Sequence, residues 1–151
     1  MHSILFVCTA NQCRSPMAEG LLRLRVGIDN PDWQIASAGT WANDGTPASR
    51  NSVLVLKELG YDLETHRSRS INKELVDSHR LVLVMERGHK EAMRIEFPQA
   101  AGRIFLLSEM IDKVFDIDDP VGSPLADYQA TAREIDLILE QGFERIDQLS
   151  R

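Results

Sequence analysis

Apolar positions along the chain alternate between unbroken short runs and helical spacing. Ile4-Leu5-Phe6-Val7 is a continuous apolar run followed by turn-forming residues, the pattern of a buried strand. Met17, Leu21 and Leu24 then recur at helical intervals, and Ser15-Pro16 ahead of them predicts an N-cap with proline at the first helical position. Trp33 to Ser37 predicts a second strand. Thr46-Pro47 predicts the opening of a helix that carries Val53, Leu56 and Leu59 and stops at Gly60. The stretch Arg80-Leu81-Val82-Leu83-Val84-Met85 is continuous and rich in β-branched residues, as in a strand covered on both faces. A helix follows and stops before Pro98, and Ile104 to Leu107 supplies a fourth strand. From Leu125 to Leu149, apolar residues at three- or four-residue spacing (Tyr128, Ala132, Ile135, Leu139, Phe143, Ile146) predict one long amphipathic helix.

Strands alternating with helices predict an α/β fold: a three-layer sandwich with a four-stranded parallel sheet and helices on both faces. Ligands of such sheets sit outside the carboxyl ends of the strands. No repeat, low-complexity segment or linker divides the 151 residues, so a single domain over 1–151 is expected, and 43% hydrophobic residues suffice for its core. The opening apolar run has no basic flank and is too short for a signal peptide or a membrane span, which points to a soluble cytoplasmic protein with no membrane partner. A net charge of −6 offers no footprint for nucleic acid, so any anion site must be local.

Charge and composition leave one concentrated chemical signal. Both cysteines lie in Val7-Cys8-Thr9-Ala10-Asn11-Gln12-Cys13-Arg14-Ser15-Pro16, between the first strand and the first helix. Two thiols so close together do not make a disulfide framework of the secreted kind. Unpaired backbone N–H groups and the positive end of the helix dipole form a cradle for phosphate or a similar oxyanion. The same surroundings favour thiolate over thiol, and the thiolate is the nucleophile, so Cys8 is placed for attack. Arg14 closes the loop, where its planar guanidinium can hold two phosphate oxygens.

The run from Cys8 to Pro16 resembles the phosphate-binding loop of the low-molecular-weight protein tyrosine phosphatases, which usually reads C-x-G-N-x-C-R-S-P. The likeness extends to Ser37-Ala38-Gly39-Thr40, to Gly60 followed by His66 and Arg69, and to Asp119-Pro120, all in family order. The resemblance implies a phosphoric monoester hydrolase of bacterial type that acts on phosphotyrosine through a cysteinyl-phosphate intermediate. Cys8 is then the nucleophile, and Arg14 and the amides from Thr9 to Cys13 hold the phosphoryl oxygens. Ser15 steadies the Cys8 thiolate, and Asp119 is general acid and then base. Asn11 takes an unusual backbone conformation held by Ser15, Ser37 and His66, which suits asparagine's tolerance of positive φ. No metal or organic cofactor is implied. The implied partners are a phosphorylated protein and, among bacterial members, a tyrosine kinase; the implied assembly is a monomer or weak dimer.

Several residues keep two readings. Cys13 either packs in the core or traps oxidised Cys8 as a disulfide. Asp119 stands in an acidic cluster with Asp112, Asp116 and Asp118, and Asp118 is its fallback. His66 and Arg69 are either supports or surface residues. Trp41 either covers core or walls the substrate cleft, and the family's variable loop near the entrance favours the cleft. The histidines at 2, 66, 79 and 89 lack the paired spacing of a zinc site. Three departures from the family pattern affect the mouth of the loop. Ala10 stands in place of glycine and requires a negative φ. Gln12 replaces an apolar residue, and Val121-Gly122 follow Asp119-Pro120 where aromatic residues are common. The polar rim brings in protein-arginine phosphatases of the same family as the alternative, and the phosphotyrosine reading is preferred. A thiol-dependent arsenate reductase of this fold passes oxidation to cysteines downstream; none follows Cys13, so an external thiol would be needed. A silent anion-binding module would have no use for Cys8 and Asp119 together.

Overall fold

A computed structural model describes residues 1–151. Four parallel strands, β1 (His2–Cys8), β2 (Trp33–Gly39), β3 (Leu81–Val84) and β4 (Ile104–Leu106), form one sheet in the order β2-β1-β3-β4. Helices α1 (Arg14–Val26), α2 (Arg50–Leu59), α3 (Lys73–Asp77), α4 (Arg87–Glu96), α5 (Leu125–Gln141) and α6 (Phe143–Ser150) cover both faces. The expected three-layer architecture is therefore present. β1 shows why its sequence is apolar without alternation. Ile4, Phe6 and Cys8 pack into the core shared with Met17, Leu56 and Ile135, whereas Leu5 and Val7 pack into the core shared with Val76 and Met93 on the other face. No helix is long and apolar enough to cross a membrane.

The strand order reverses direction at β1, with β2 on one side and β3 on the other. The carboxyl ends of β1 and β3 thus flank a switch point, where the loops diverge and leave a crevice. Cys8 ends β1, and the turn into α4 follows β3 directly.

Element boundaries differ from the sequence expectation in physically legible ways. Helix α1 begins at Arg14 with Cys13 in the N-cap position, not at Ser15-Pro16. Pro16 is tolerated because the first-turn N–H groups have no helical partner, and the Ser15 side chain is used elsewhere. Pro47 pairs with Arg67 in an antiparallel bridge, and α2 opens three residues later with Ser49 in the N-cap position. The long C-terminal helix is two helices that part at Gly142. A Cβ there would lie 2.8 Å from Met110 Cβ and 2.9 Å from the Met110 carbonyl oxygen, so only glycine allows this approach. Helix α3, which the apolar spacing did not reveal, is capped by the Asn72 side chain, which accepts the Leu75 N–H at 2.8 Å.

Candidate active site

The loop from Cys8 to Arg14 is held from beneath by the end of β2. Thr40 N–H donates to the Cys8 carbonyl and Trp41 N–H to the Thr9 carbonyl, both at 2.9 Å. Gly39 permits that contact. A Cβ on it would collide with the Thr9 carbonyl oxygen and stand 3.1 Å from the Asn11 nitrogen.

Asn11, fully buried, sits at φ 57°, in the left-handed region that asparagine tolerates. Its side-chain amide donates to Ser15 Oγ at 2.8 Å and to Ser37 Oγ at 3.0 Å, and its Oδ1 accepts the Arg69 N–H at 3.0 Å. His66 Nε2 donates to its carbonyl oxygen at 2.7 Å. Ser15, Ser37 and His66 therefore converge on Asn11, and Arg69 braces the same loop, with its Nε donating to the Ser37 carbonyl at 3.1 Å. His66 is half-buried and Arg69 exposed, and both make these contacts from the surface side of the loop. Ala10 does not have positive φ, so its Cβ is accommodated.

Cys8 is 2% exposed, at the floor of the loop, with Sγ 3.0 Å from Ser15 Oγ. Asn11 donates to Ser15, so the Ser15 hydroxyl hydrogen has two acceptors, the Cys8 sulfur at 3.0 Å and the Ala38 carbonyl at 3.4 Å. Cys13 also carries a free thiol, which donates to Ser49 Oγ at 3.3 Å and lies 3.6 Å from the Tyr128 hydroxyl. The packing role weighed for Cys13 has a definite polar niche between α2 and α5.

Arg14 is 1% exposed, an unusual place for a guanidinium. Nη1 donates to Glu86 Oε2 at 2.5 Å and to the Ile117 carbonyl at 2.7 Å. Nη2 lies 3.4 Å from Asp119 Oδ2 and 3.5 Å from Thr9 Oγ1. The buried Nε–H has no protein acceptor. A buried cationic donor left unpaired is costly unless an anion completes it, and Nε with Nη2 forms the fork that grips two oxygens of a phosphate.

Of the acidic cluster, Asp119 is the member that reaches Arg14; its side chain is 37% exposed, and Oδ1 accepts the Val121 N–H at 3.1 Å. Asp116 is occupied by the Arg87 N–H at 2.8 Å, and Asp112 pairs with Arg145. Asp118 instead lines a groove of about 330 Å³ beside Asp119, together with Asp127 and Glu134. Partial burial and the Asp118 charge hold the Glu134 carboxyl above its usual range. Trp41 is 82% exposed, so it covers no core. Gln12 is half-buried on the rim and accepts the Ser49 N–H at 2.9 Å through its carbonyl.

Two contributors escaped the sequence reading. Glu86 and His89 enter from the turn after β3, and their signal was positional: they directly follow a buried strand whose carboxyl end faces the switch point. His89 is buried, and burial pushes its pKa down; Arg14 acts in the same direction, against Glu86, Asp116 and Asp119. The ring is neutral at pH 7, and its 3.8 Å approach to Glu86 is accordingly not a charged pair.

A thiol at a helix N-terminus, a fork of guanidinium donors and a carboxyl group at the rim can together bind a tetrahedral oxyanion and transfer a phosphoryl group to sulfur. Comparison with known proteins places that geometry. Residues 3–150 match the family model for low molecular weight phosphotyrosine protein phosphatase. The chain belongs to this family. Among relatives, it is 38% identical to a protein-arginine-phosphatase of Geobacillus stearothermophilus over 96% of both chains. It is also 40% identical to a probable low molecular weight protein-tyrosine-phosphatase, EpsP, of Ralstonia solanacearum, over 80% of this chain and 79% of that one. The crystal structure of a low molecular weight protein tyrosine phosphatase from T. tengcongensis superposes with a TM-score of 0.90 at 39% identity, covering 96% of this chain and 99% of that chain. The chain is thus similar to phosphatases of both substrate names.

Proposed function

We propose that residues 1–151 form one phosphatase domain that hydrolyses phosphotyrosine in proteins through a cysteinyl-phosphate intermediate. The observation that carries this reading is the buried Arg14, with Nε–H unpaired, on the same loop as a thiol that Ser15 holds at 3.0 Å. Cys8 Sγ attacks phosphorus, and the bond from phosphorus to the tyrosine oxygen breaks in line with it. Asp119 gives its proton to that leaving oxygen. Arg14 Nε and Nη2, with the loop amides from Thr9 to Cys13, hold the three equatorial oxygens as their charge builds. Asp119, now a carboxylate, takes a proton from water as that water attacks phosphorus. Cys8 leaves as thiolate, steadied by the Ser15 hydroxyl, and inorganic phosphate is released. The burial of Cys8 supports a long phosphorylated side chain over a short one, with Gln12 and Trp41 as the proposed walls of its entrance.

A second reading, phosphoarginine, is favoured by one specific observation: the groove beside Asp119 is lined by the carboxyl groups of Asp118, Asp127 and Glu134, and no aromatic side chain lines it. Such a wall suits a guanidinium leaving group better than a phenol ring. Initial rates on matched phosphotyrosine and phosphoarginine peptides decide between the two, with Cys8→Ser as the blank. Turnover of phosphotyrosine by the wild type is expected, with none by Cys8→Ser, which still binds phosphate. A preference for phosphoarginine would keep the chemistry and replace the substrate. Turnover by Cys8→Ser would sink the mechanism.

A further inference from the structure

The turn from Glu86 to His89 reaches the phosphate loop at both of its ends. Glu86 holds Arg14, and the contact at the other end turns on the tautomer of one histidine. His89 Nδ1 accepts the Glu86 N–H at 3.1 Å. A neutral ring whose Nδ1 accepts carries its proton on Nε2, and Nε2 lies 2.8 Å from Thr9 Oγ1. His89 is therefore the donor and Thr9 the acceptor. The same hydroxyl oxygen faces a second donor, Arg14 Nη2, at 3.5 Å. With both lone pairs of Thr9 Oγ1 addressed by N–H groups, its hydrogen is the only valence left, and no protein oxygen accepts it. Beside it is the anion cradle that Arg14 and the loop amides define.

We propose that His89 is a positioning residue for phosphoryl transfer: by donating to Thr9 it commits the Thr9 hydroxyl to donate to an oxygen of the phosphoryl group held by the loop. Without His89, the hydroxyl is free to turn its hydrogen toward Asp119 or solvent. This role rests on reading the loop as the phosphoryl site, and goes beyond it by giving the second loop residue a side-chain function set from a distant turn. Neutrality of His89 is part of the device. A protonated ring would donate from Nδ1 as well, and would oppose the Glu86 N–H that it now accepts.

A structural competitor exists, because the His89–Glu86 contact also caps α4. Two substitutions divide the ring's functions. His89→Asn keeps an acceptor near the Nδ1 position, so it keeps the cap and loses the donor to Thr9. His89→Gln keeps a donor that can reach Thr9 and loses the cap. The expected result is that His89→Asn lowers kcat/KM for the phosphopeptide by about 10-fold, the size of one hydrogen bond to a charged group, with little change in Tm. His89→Gln recovers most of that loss despite a lower Tm. Thr9→Val shows the same loss as His89→Asn, and the double variant is no worse than either. Multiplying losses in the double variant, or a His89→Gln protein less active than His89→Asn, would overturn the role and leave a helix cap.

The same four-protein cycle read as affinity for inorganic phosphate by calorimetry needs no turnover. Coupled losses there, in a wild type that hydrolyses neither peptide, would remove the phosphatase reading and keep the positioning role. Additive losses, or no phosphate binding, would overturn the positioning role whatever the turnover.

Discussion

Two loops meet over Cys8, and they are built in opposite ways. The phosphate loop is buried and braced on all sides: Asn11, Arg14 and Ser15 are each inaccessible and hydrogen-bonded to side chains or backbone from β2, the His66–Arg69 segment and the turn after β3. The loop that bears Asp119 is anchored at only a few points. Ile117 is buried, its N–H donating to the Met85 carbonyl at 2.9 Å, and Pro120 is buried behind Asp119, while Val121 is exposed. The charge that develops on a transferring phosphoryl group is the same for every substrate, so rigid donors aimed at it serve all of them. Leaving groups differ from one another, and the arm that protonates them has room to differ with them. Phosphoryl binding and leaving-group recognition are thereby assigned to different loops.

The largest effect expected from probing this contrast falls on the looser loop, at the proposed general acid. Asp119→Ala should lower kcat by about 10²- to 10⁴-fold, the usual contribution of general acid catalysis, with smaller losses for aryl phosphates whose leaving groups are already acidic. Equal losses across a leaving-group series would move the acid elsewhere in the loop. Next comes a change in the braced loop. Asn11→Ala leaves Ser15, Ser37 and the Arg69 N–H without their partner and puts alanine at φ 57°, so a stability loss of about 2–3 kcal/mol is expected in denaturant titration, with kcat falling alongside. A variant of wild-type stability would show that the bracing is not what holds the loop.

Acidification should tell the loops apart more gently. His79 and His89 both have folded-state pKa values depressed by burial. The unfolded chain therefore binds more protons than the folded one, so their contribution is fully present above about pH 6.5 and declines as pH falls below it. Denaturation midpoints measured from pH 7.5 to 5.5 should decrease, and His89→Gln should flatten the slope, leaving the part due to His79. A slope unchanged in that variant would mean that His89 does not sense folding. The smallest effect belongs to the exposed tip of the acid loop: Val121→Ala should change stability by no more than about 0.5 kcal/mol, as surface substitutions usually do, while altering KM differently for different peptides. A uniform KM across peptides would take Val121 out of the cleft.

How far the sequence could be read depended on whether a feature is local or assembled. The run Leu81 to Val84 and the span from Cys8 to Arg14 announce themselves, because a continuous apolar run and a thiol placed ahead of a helix start carry their meaning within a few residues. Ser15, Ser37 and His66 were legible around Asn11 only through family resemblance, since nothing local ties positions so far apart. Glu86 and His89 stayed hidden for the same reason: they join the loop only when β3 is laid beside β1. Gly142 was passed over, because the apolar period continues across it from Leu139 to Phe143. What ends α5 there is the close approach of Met110, which periodicity does not record. Ser15-Pro16 misled for a different reason. The residues suit a helix start, yet the loop winds into helical geometry two residues earlier and turns the Ser15 hydroxyl to Cys8.

The spacing of Arg14's partners along the chain has a consequence for the order in which this molecule comes into being. Glu86 and the Ile117 carbonyl, which fix Arg14, lie 72 and 103 residues downstream of that arginine. Contacts of such separation form late, after local helices and the first strand pairings. A nascent or truncated chain ending before Ile117 carries the thiol without the assembled guanidinium beside it. The donors that surround the loop are therefore complete only once the segment through Ile117 has been made and folded.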